Sequence, residues 1–475
     1  MVTEQRQKIP HKLIISIILI STFLFTFNQF LLITAFPTIM QEFSINATQV
    51  QWLTTSFLLT TIVFIPMSGY LTSRFSSRAL VLFSLACLVS GTIVGIFAST
   101  FMLLILSRVI QAIGAGIMLP LVQTILLAVF PKEKQGFAMG LLGCVINVAP
   151  ASAPSIAGIV IDLYNWTALF WIMLSLSVVA LVFAYLFMKN VTEQQAAKLD
   201  PLSLCLSGIG FTSILFGMSN ISVLGFTHWS VLASLAIGGM MLATFIKRQL
   251  NLQFPVLNLR IFKKMAFLIS TALIFINIML LLSMETILPM FSQDVLGTSA
   301  FLSGFLLVPG TIILSIVSLI SGHLFDQYGG RILAMGGFSS ILVSTILFST
   351  IGMESSPYMI MIYFCFFMFG TGLTLMPLVS IGVESLSTAE IPHGAAIVNT
   401  VRQFGMAFGI VFLTTIISVT TNQMEAPYEV AAFWGTRYAF YVMIACSLLG
   451  ICLSFLVKGK QRLTVKEDRG EVVNG

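Results

Sequence analysis

The sequence predicts an all-α integral membrane protein with fourteen transmembrane helices. The prediction depends on the composition, on the length of the apolar runs and on the distribution of charge between them. Hydrophobic residues make up 57% of the 475 residues and charged residues only 8%. Because a soluble globular domain carries about 25% charged residues, this chain cannot cover a water-facing surface of normal size. We therefore expect the lipid bilayer to be a partner and expect no nucleic-acid partner.

The apolar runs are long enough to cross a bilayer, which takes about 20 mostly apolar residues. The first run follows basic residues, as a signal peptide does, but it exceeds the roughly 7–15 apolar residues of such a peptide. We therefore interpret it as the first span. The fourteen predicted spans lie near residues 13–34, 50–72, 79–98, 101–129, 135–160, 168–188, 202–222, 229–247, 266–290, 301–322, 331–351, 357–381, 395–419 and 436–457.

The charged residues between the runs test this count. Lys and Arg collect on the cytoplasmic side of membrane proteins, and here they follow the even-numbered spans, beginning with Arg74 and Arg78 after the second. The opposite loops carry acidic residues and a single base, Arg437. One miscounted span would invert the pattern beyond it. The charges therefore favour fourteen spans in the cytoplasmic membrane, with both termini in the cytoplasm.

A short motif repeats in the two halves of the chain. It runs from Gly69 to Arg78 after the second span, and from Gly322 to Arg331 after the tenth. Related halves joined by a central linker are typical of secondary transporters, which bind substrate between the halves. We predict a six-helix bundle at 1–190, two inserted helices with linkers at 191–264, a second six-helix bundle at 265–457 and a cytoplasmic tail at 458–475.

Four motifs carry a family resemblance. The sequence resembles the loop motif G-x-L-x-D-x-x-G-R, a fourth-span motif R-x-x-Q-G-x-G, a degenerate antiporter motif in the fifth span and a polar motif in the thirteenth. The chain is thus similar to major facilitator superfamily transporters, in the fourteen-segment branch of drug:proton antiporters that export quaternary ammonium compounds and other drugs. The matching residues are Gly322, Leu324, Asp326, Gly329 and Arg331; Arg108, Gln111, Gly114 and Gly116; Pro150, Pro154 and Gly158; and Asn399, Arg402, Gln403 and Gly405.

The chain also departs from the family pattern. In the first loop motif Ser73 replaces the family's Asp and Ser76 replaces its Gly. In the first span Asn28 stands where this branch usually has an acid. The proton-carrying group common at that position is therefore missing.

The resemblance implies two six-helix bundles of the major facilitator fold plus two inserted helices. It also implies proton-coupled export of lipophilic drug-like compounds, cationic ones included, by a monomer that uses the proton motive force and no cofactor. Export of one metabolite, lipid or peptide stays open, as does a non-transporting sensor or immunity protein. No enzyme is expected, because the six Cys lie in apolar segments and the four His are scattered, so that no catalytic or metal-binding set is formed.

Ionisable residues deep inside spans are costly, at about 2.5–3.5 kcal/mol each, and usually face a cavity. Only three such residues occur here: Arg108, Glu285 and Arg402. We predict that Glu285, the only acid among them, couples transport to protons; alternatively it lies at a helix end in contact with outside water. Arg402 lies too far along the membrane axis to pair with Glu285, and we expect it to brace helices with Asn399 or Gln403.

Arg108 has two interpretations. It either joins Glu285, Asn28 and Gln29 in a cavity-facing cluster that assists proton coupling, or it binds backbone carbonyls within its own bundle. The predicted substrate cavity comprises Asn28, Gln29, Gln111, Asn399, Arg402 and Gln403.

The predicted gating residues lie in the fifth span and in the two loop motifs. Small residues and prolines in the fifth span favour close packing and bending, with or without a gating role. Asp326 is expected to cap the following helix and pair with Arg331, whereas Arg74 and Arg78 either take part in a latch or only obey the charge rule. The gating set is Pro150, Pro154, Gly158, Gly69, Arg74, Arg78, Gly322, Asp326, Gly329 and Arg331.

Overall fold

A computed structural model describes residues 11–45, 50, 52–131, 134–191, 200–253, 255–298 and 300–457. Within these ranges the chain forms helices and no strand. The helices of 20 or more residues are α1 (His11–Leu31), α2 (Trp52–Arg74), α3 (Ser77–Ile96), α4 (Phe101–Val129), α5 (Gln135–Leu163), α6 (Trp166–Phe187), α7 (Pro201–Leu224), α8 (Trp229–Asn251), α9 (Met265–Asp294), α10 (Val308–Tyr328), α11 (Gly330–Ser349), α12 (Tyr358–Glu384), α13 (Ile391–Gln423) and α14 (Tyr428–Ser454).

Twelve helices among the described residues are long and apolar enough to cross a membrane. The two remaining long helices, α5 and α7, contribute shorter apolar stretches, Gln135–Ile146 and Leu202–Met218. The protein is therefore a multi-pass membrane protein.

The helices follow the predicted spans closely except at two places. α10 begins at Val308 rather than near 301, because a short helix, Ala300–Phe305, precedes it and Pro309 starts a new one. α14 begins at Tyr428 rather than 436, and its first turn carries Glu429. A polar helix start has no hydropathy signal, so the apolar run alone underestimates its length.

The helices pack in two groups. Taken together, α1–α6 contact mainly one another, and so do α9–α14, although α5 by itself packs mainly against the second group. The two groups meet where α5 packs on α10 and where α2 packs on α13. We call the membrane side that carries the two loop motifs, after α2 and after α10, the loop-motif side.

Helices α7 and α8 form a hairpin against the outside of both groups. A Cβ on Gly210 or Gly238 would collide with the partner helix, so the two backbones are in close contact. The ring of Phe211 lies 5.9 Å from that of Phe404 on α13. Arg248 at the end of α8 binds Asp200 at 2.7 Å, and this hydrogen bond holds the pKa of Asp200 below its ordinary value.

Candidate functional site

The first polar cluster surrounds Arg108, which is buried in the first group of helices with 1% of its surface exposed. Its guanidinium donates to the carbonyl oxygens of Asn28 at 3.0 Å and Gln29 at 3.1 Å. It also donates to the carbonyl of Leu53 at 3.3 Å and to the Gln111 side chain at 3.0 Å. All four acceptors belong to α1, α2 and α4. Binding to backbone carbonyls of its own bundle is thus the interpretation of Arg108 that the structure supports.

The acceptors exist because α1 ends early. The last four carbonyls of a helix have no partner within it, and α1 ends at Leu31, so Asn28 and Gln29 belong to that last turn. A cation near a helix C-terminus also interacts favourably with the helix dipole. Arg108 therefore caps α1 from α4, and its guanidinium lies 4.5 Å from the Phe57 ring centroid.

Asn28 completes this cluster as a neutral group. Its side-chain amide donates to Gln111 at 3.0 Å, and Gln111 donates in turn to the hydroxyl of Thr92 at 3.0 Å. The predicted residues Asn28, Gln29, Gln111 and Arg108 therefore do come together. Their polar groups bond mostly to one another or to backbone, which makes the cluster a brace of the first group.

Glu285 lies apart from this cluster, on α9 in the second group. It is half-buried, and among the described residues it has no hydrogen-bond or ion-pair partner. Helix α9 meets α13 through Met279 and Ser283 and meets α12 through Asn277. At about 100° per residue, Glu285 lies on the same side of α9 as Ile274 and Ile278, which are buried, and Ile278 contacts Gly405 of α13.

The side of α9 that carries Glu285 thus faces the protein interior rather than lipid. The predicted cluster of Glu285 with Arg108 is not formed in this structure, because the hydrogen bonds of Arg108 all lie in the first group. A carboxyl group without a protein partner in an apolar interior is free to take up and release a proton.

The second polar layer joins the two groups of helices. Asn399 on α13 donates to the side chain of Gln123 on α4 at 3.1 Å and to its own helix at the Ala395 carbonyl. The expected bracing of Arg402 by Asn399 or Gln403 is wrong, since within the described residues no hydrogen bond joins them. Arg402 is 8% exposed, and the structure gives it no hydrogen-bond or ion-pair partner among the residues it describes.

The charges of Arg402 and Glu285 lie at different depths. Gly405 of α13 is level with Ile278 of α9, where a Cβ on the glycine would meet the isoleucine side chain. Arg402 is three residues before Gly405, and Glu285 is seven after Ile278. Ten residues at about 1.5 Å each separate them by about 15 Å along the axis. The two charges therefore do not pair, as the sequence predicted.

The second loop motif reaches across to the other group. The carboxylate of Asp326 accepts a hydrogen bond from the backbone N–H of Phe137, in the first turn of α5, at 3.2 Å. The expectation that Asp326 caps the following helix is wrong, since Gly329 precedes α11 and no side chain caps it. Gly329 has φ 79°, which glycine adopts without strain and which lets α10 end where α11 begins. Arg331 lies over the Phe455 ring, 5.8 Å from its centroid.

Gly322 packs directly against α5. A Cβ there would collide with the carbonyl of Gly136, and Gly140 is also in contact. The first loop motif contacts the other group less closely, through Gly69 and His393. Arg74 is exposed, and Arg78 donates to the Tyr185 carbonyl at 2.8 Å within its own group.

The fifth-span motif lies in a continuous helix. α5 runs through both prolines without a break, but the side chains of Pro150 and Pro154 lie outside the described residues. Ala149, Ala153 and Ala157 are fully buried, which confirms close packing on this face. Gly158 is half-buried and close to Thr34, in the segment after α1.

Two polar contacts were missed by the sequence reasoning. Gln123 joins the groups of helices, and Asn277 donates to the hydroxyl of Thr374 at 2.6 Å within the second group. Each is an amide in a mainly apolar run, whereas Gln111 and Asn399 were identified through the family motifs. A search for every such amide would have found both.

Comparison with known proteins agrees with this architecture. The sequence profile described as Major Facilitator Superfamily matches residues 18–410. The chain belongs to the Major Facilitator Superfamily. A lincomycin resistance protein of Listeria monocytogenes is 34% identical over 463 residues, which cover 96% of this chain and 98% of that protein. An uncharacterised MFS-type transporter of Bacillus subtilis is 39% identical over 464 residues, covering 96% and 97%.

A solved structure shares the fold. The crystal structure of a human organic anion transporter superposes with a TM-score of 0.69 at 11% identity, covering 94% of this chain and 99% of that one. Family and relatives together make this chain a membrane transporter and not an enzyme. Its bacterial relatives place it in the cell membrane.

Proposed function

We propose that this transporter exports lipophilic drug-like compounds, cationic ones included, in exchange for protons. The observation that carries the proposal is Glu285, an acid without a protein partner in the described residues, on the interior face of α9. The relative named for lincomycin resistance supports an antibiotic as one substrate. The proton motive force is the proposed energy source, with no cofactor.

The proposed mechanism is alternating access, and the arrangement of the helices in two groups supports it. In this structure α5 contacts α10 and α2 contacts α13 on the loop-motif side, so that side is closed at Gly322 and Gly69. Rocking of the groups would open these contacts. Glu285 would bind a proton from one side and release it to the other, while substrate moves the opposite way.

We further propose that α5 and α7 cross the membrane, which gives fourteen spans with both termini in the cytoplasm. α5 has 29 residues and α7 has 24, so at about 1.5 Å per residue each exceeds the 30 Å hydrocarbon core. The alternation of charge also needs both. The loop-motif side is then cytoplasmic. The bundles at 1–190 and 265–457 and the pair at 191–264 keep their predicted bounds, and a monomer suffices.

Transport of ethidium in inverted membrane vesicles tests proton coupling. We expect uptake when the vesicle interior is acidified and expect it to stop when a protonophore removes the gradient. If neither ethidium nor lincomycin moves in a gradient-dependent way, the proposal is wrong. Lincomycin susceptibility of cells with and without the transporter gives a second measurement.

Substitution Glu285→Gln tests the coupling residue. We expect gradient-driven ethidium uptake to fall more than tenfold, because an amide cannot carry a proton, while ethidium binding without a gradient persists. Glu354→Gln, at an exposed acid between α11 and α12, is the matched control and should transport normally. Unchanged gradient-driven transport by Glu285→Gln would assign coupling to another residue.

A further inference from the structure

The layer around Arg402 contains more hydrogen-bonding groups than its neighbours satisfy. Arg402 is more than nine-tenths buried and has no hydrogen-bond or ion-pair partner among the described residues. The side-chain nitrogen of Gln123 is fully buried and also lacks a partner, since only its oxygen meets Asn399. Arg402 and Gln123 lie on opposite sides of the interface between the two groups of helices.

The direction of Arg402 follows from its neighbours on α13. Asn399 faces α4, through Gln123, while Gly405 and Gly409 face α9. At about 100° per residue, Arg402 lies between these two directions. Its side chain therefore points to the central region between the two groups, on the loop-motif side of Glu285.

Burial of a charge without a partner is costly, and buried polar groups are normally paired. The brace around Arg108 shows how the same chain satisfies such a residue, with four hydrogen bonds to named acceptors. Arg402 is also buried, with 8% of its surface exposed against 1% for Arg108, and it makes no such bonds to the described residues. The difference identifies Arg402 as a group kept for a ligand rather than for the fold.

We propose that Arg402 and Gln123 bind the acidic group of an amphipathic substrate. A guanidinium and an amide nitrogen are donors only, and the guanidinium fork fits a carboxylate or phosphate with two parallel hydrogen bonds. The oxygen of Gln403, which is also buried and has no partner among the described residues, would accept a hydrogen bond from a hydroxyl or N–H beside the acidic group. The apolar part of the substrate then extends along α9 towards Glu285.

The proposal extends the proposed export function by naming a substrate class. The substrate would contact Gln123 in the first group of helices and Arg402 in the second. An acidic head would hold the two groups together on the loop-motif side, while Glu285, about 15 Å away along the axis, is left to protons or to cationic compounds.

The test uses two fluorescent probes that differ only in the acidic group, 11-(dansylamino)undecanoic acid and its methyl ester. Binding to the full chain in phosphatidylcholine nanodiscs is measured at pH 8 without a gradient, and the signal of empty nanodiscs is subtracted. We expect the wild-type protein to bind the acid at least tenfold more tightly than the ester. Equal affinity for the two probes would overturn the proposal without any variant.

Three variants locate the preference. Arg402→Gln should bring the acid and ester affinities within about twofold of each other, Arg402→Lys should keep part of the preference, and Gln123→Leu should reduce it about threefold. Arg437→Gln, which removes an arginine from α14 beside Phe433 and Trp434, is the matched control and should keep the full preference. An unchanged preference in Arg402→Gln would contradict the assignment.

The binding assay is independent of proton coupling. If Arg402→Gln removes the acid preference but ethidium transport never depends on a gradient, the proposed coupling fails and the acidic-substrate site stands. If transport is gradient-driven but the wild-type protein does not prefer the acid, the proposed export stands and this site does not exist.

Discussion

The two groups of helices pack most extensively at two places on the loop-motif side, and these two contacts are built differently. Between α5 and α10 the backbones touch, with Gly136 and Gly140 against Gly322. At Gly69, between α2 and α13, the nearest neighbour is a side chain, since a Cβ there would lie 3.1 Å from Nδ1 of His393. That ring nitrogen donates to the carbonyl of Val256 at 3.2 Å.

The loop motifs explain the difference. In the second motif Asp326 accepts a hydrogen bond from a backbone N–H in the first turn of α5. A negative charge at this end of a helix also interacts favourably with the helix dipole. In the first motif Ser73 stands at the matching position and bonds to Gly69 of its own helix at 3.0 Å. Ser76 replaces the matching glycine and caps α3 through the Ala79 N–H. The first loop motif therefore still forms the ends of α2 and α3, but Ser73 makes no bond to the other group that would match the bond of Asp326.

Polar contacts nearby position the start of α13 within its own group and against the linker after α8. Lys264, just before α9, binds Glu390, just before α13, at 2.6 Å. Val256 belongs to the linker after α8, so the hairpin also joins this contact. The α5/α10 contact thus depends on backbone fit, whereas the closest approach of α13 to Gly69 of α2 is made by the His393 side chain. We infer that the α5/α10 contact stays fixed when the two groups of helices rock, and that the α2/α13 contact changes.

The largest expected effect is that of a methyl group at each glycine. Gly322→Ala should lower transport more than tenfold, because its Cβ would collide with the backbone of Gly136, which cannot move without shifting α5. Gly69→Ala should change transport about twofold, because a side chain is the nearest neighbour. Initial rates of ethidium transport at equal protein levels are the measurement.

A third alanine controls for the substitution itself. Gly239 on α8 has open space around it, so Gly239→Ala should transport like wild type. Equal loss of transport in Gly69→Ala and Gly322→Ala would show that the two contacts are equally rigid and would contradict the comparison.

Substitution of Asp326 in the second motif should have a larger effect than substitution of Ser73 in the first, but this difference should be smaller than that between the two glycines. Asp326→Ala removes the acceptor at the start of α5 and should cost about 1 kcal/mol of stability, the usual value of a helix cap. Ser73→Ala breaks only a bond within its helix and should cost less than about 0.5 kcal/mol. Thermal unfolding in detergent measures both, and Asp326→Asn, which keeps an acceptor, should lie between them. A larger loss for Ser73→Ala would reverse the proposed roles.

The sequence predicted much of the fold because hydropathy and charge act locally. Long apolar runs and the position of basic residues located nearly all the helices to within a few residues. The two displaced starts, at Val308 and Tyr428, depend on a proline and on a polar first turn. Neither changes the mean hydropathy of a run enough to be seen.

The candidate site was harder to predict because its contacts cross between helices. Sequence alone identified Arg108 but could not choose its partners, since that choice depends on α1 ending at Leu31 and freeing two carbonyls. It identified Asp326 but assigned it to the next helix along the chain instead of α5. A sequence motif specifies the residue types, whereas tertiary packing determines which partner each residue contacts.

The smallest expected effect concerns the Lys264–Glu390 charge pair, which positions the start of α13 beside the α2/α13 contact. Burial acts to raise the pKa of Glu390, but hydrogen bonds from Lys264 and Ser387 outweigh it and hold that pKa below its ordinary value. Because the folded pKa is depressed, the stabilisation is present above the unfolded pKa of about 4.3 and is lost as the pH falls through the folded pKa. Both side chains are partly exposed, so less than about 1 kcal/mol is expected.

The free energy of unfolding of wild type and Glu390→Gln at a series of pH values measures the contribution of this charge pair to stability. The two proteins should differ most near pH 7, converge as the pH falls to 4 and below, and differ less in high salt, which screens exposed charges. The stability difference between wild type and Asp326→Asn at pH 7 should survive high salt better, because the carboxylate of Asp326 binds a backbone N–H at a close helix contact. If Glu390→Gln instead costs the same at every pH and salt concentration, its charge does not contribute, and the start of α13 is positioned by packing as the α5/α10 contact is.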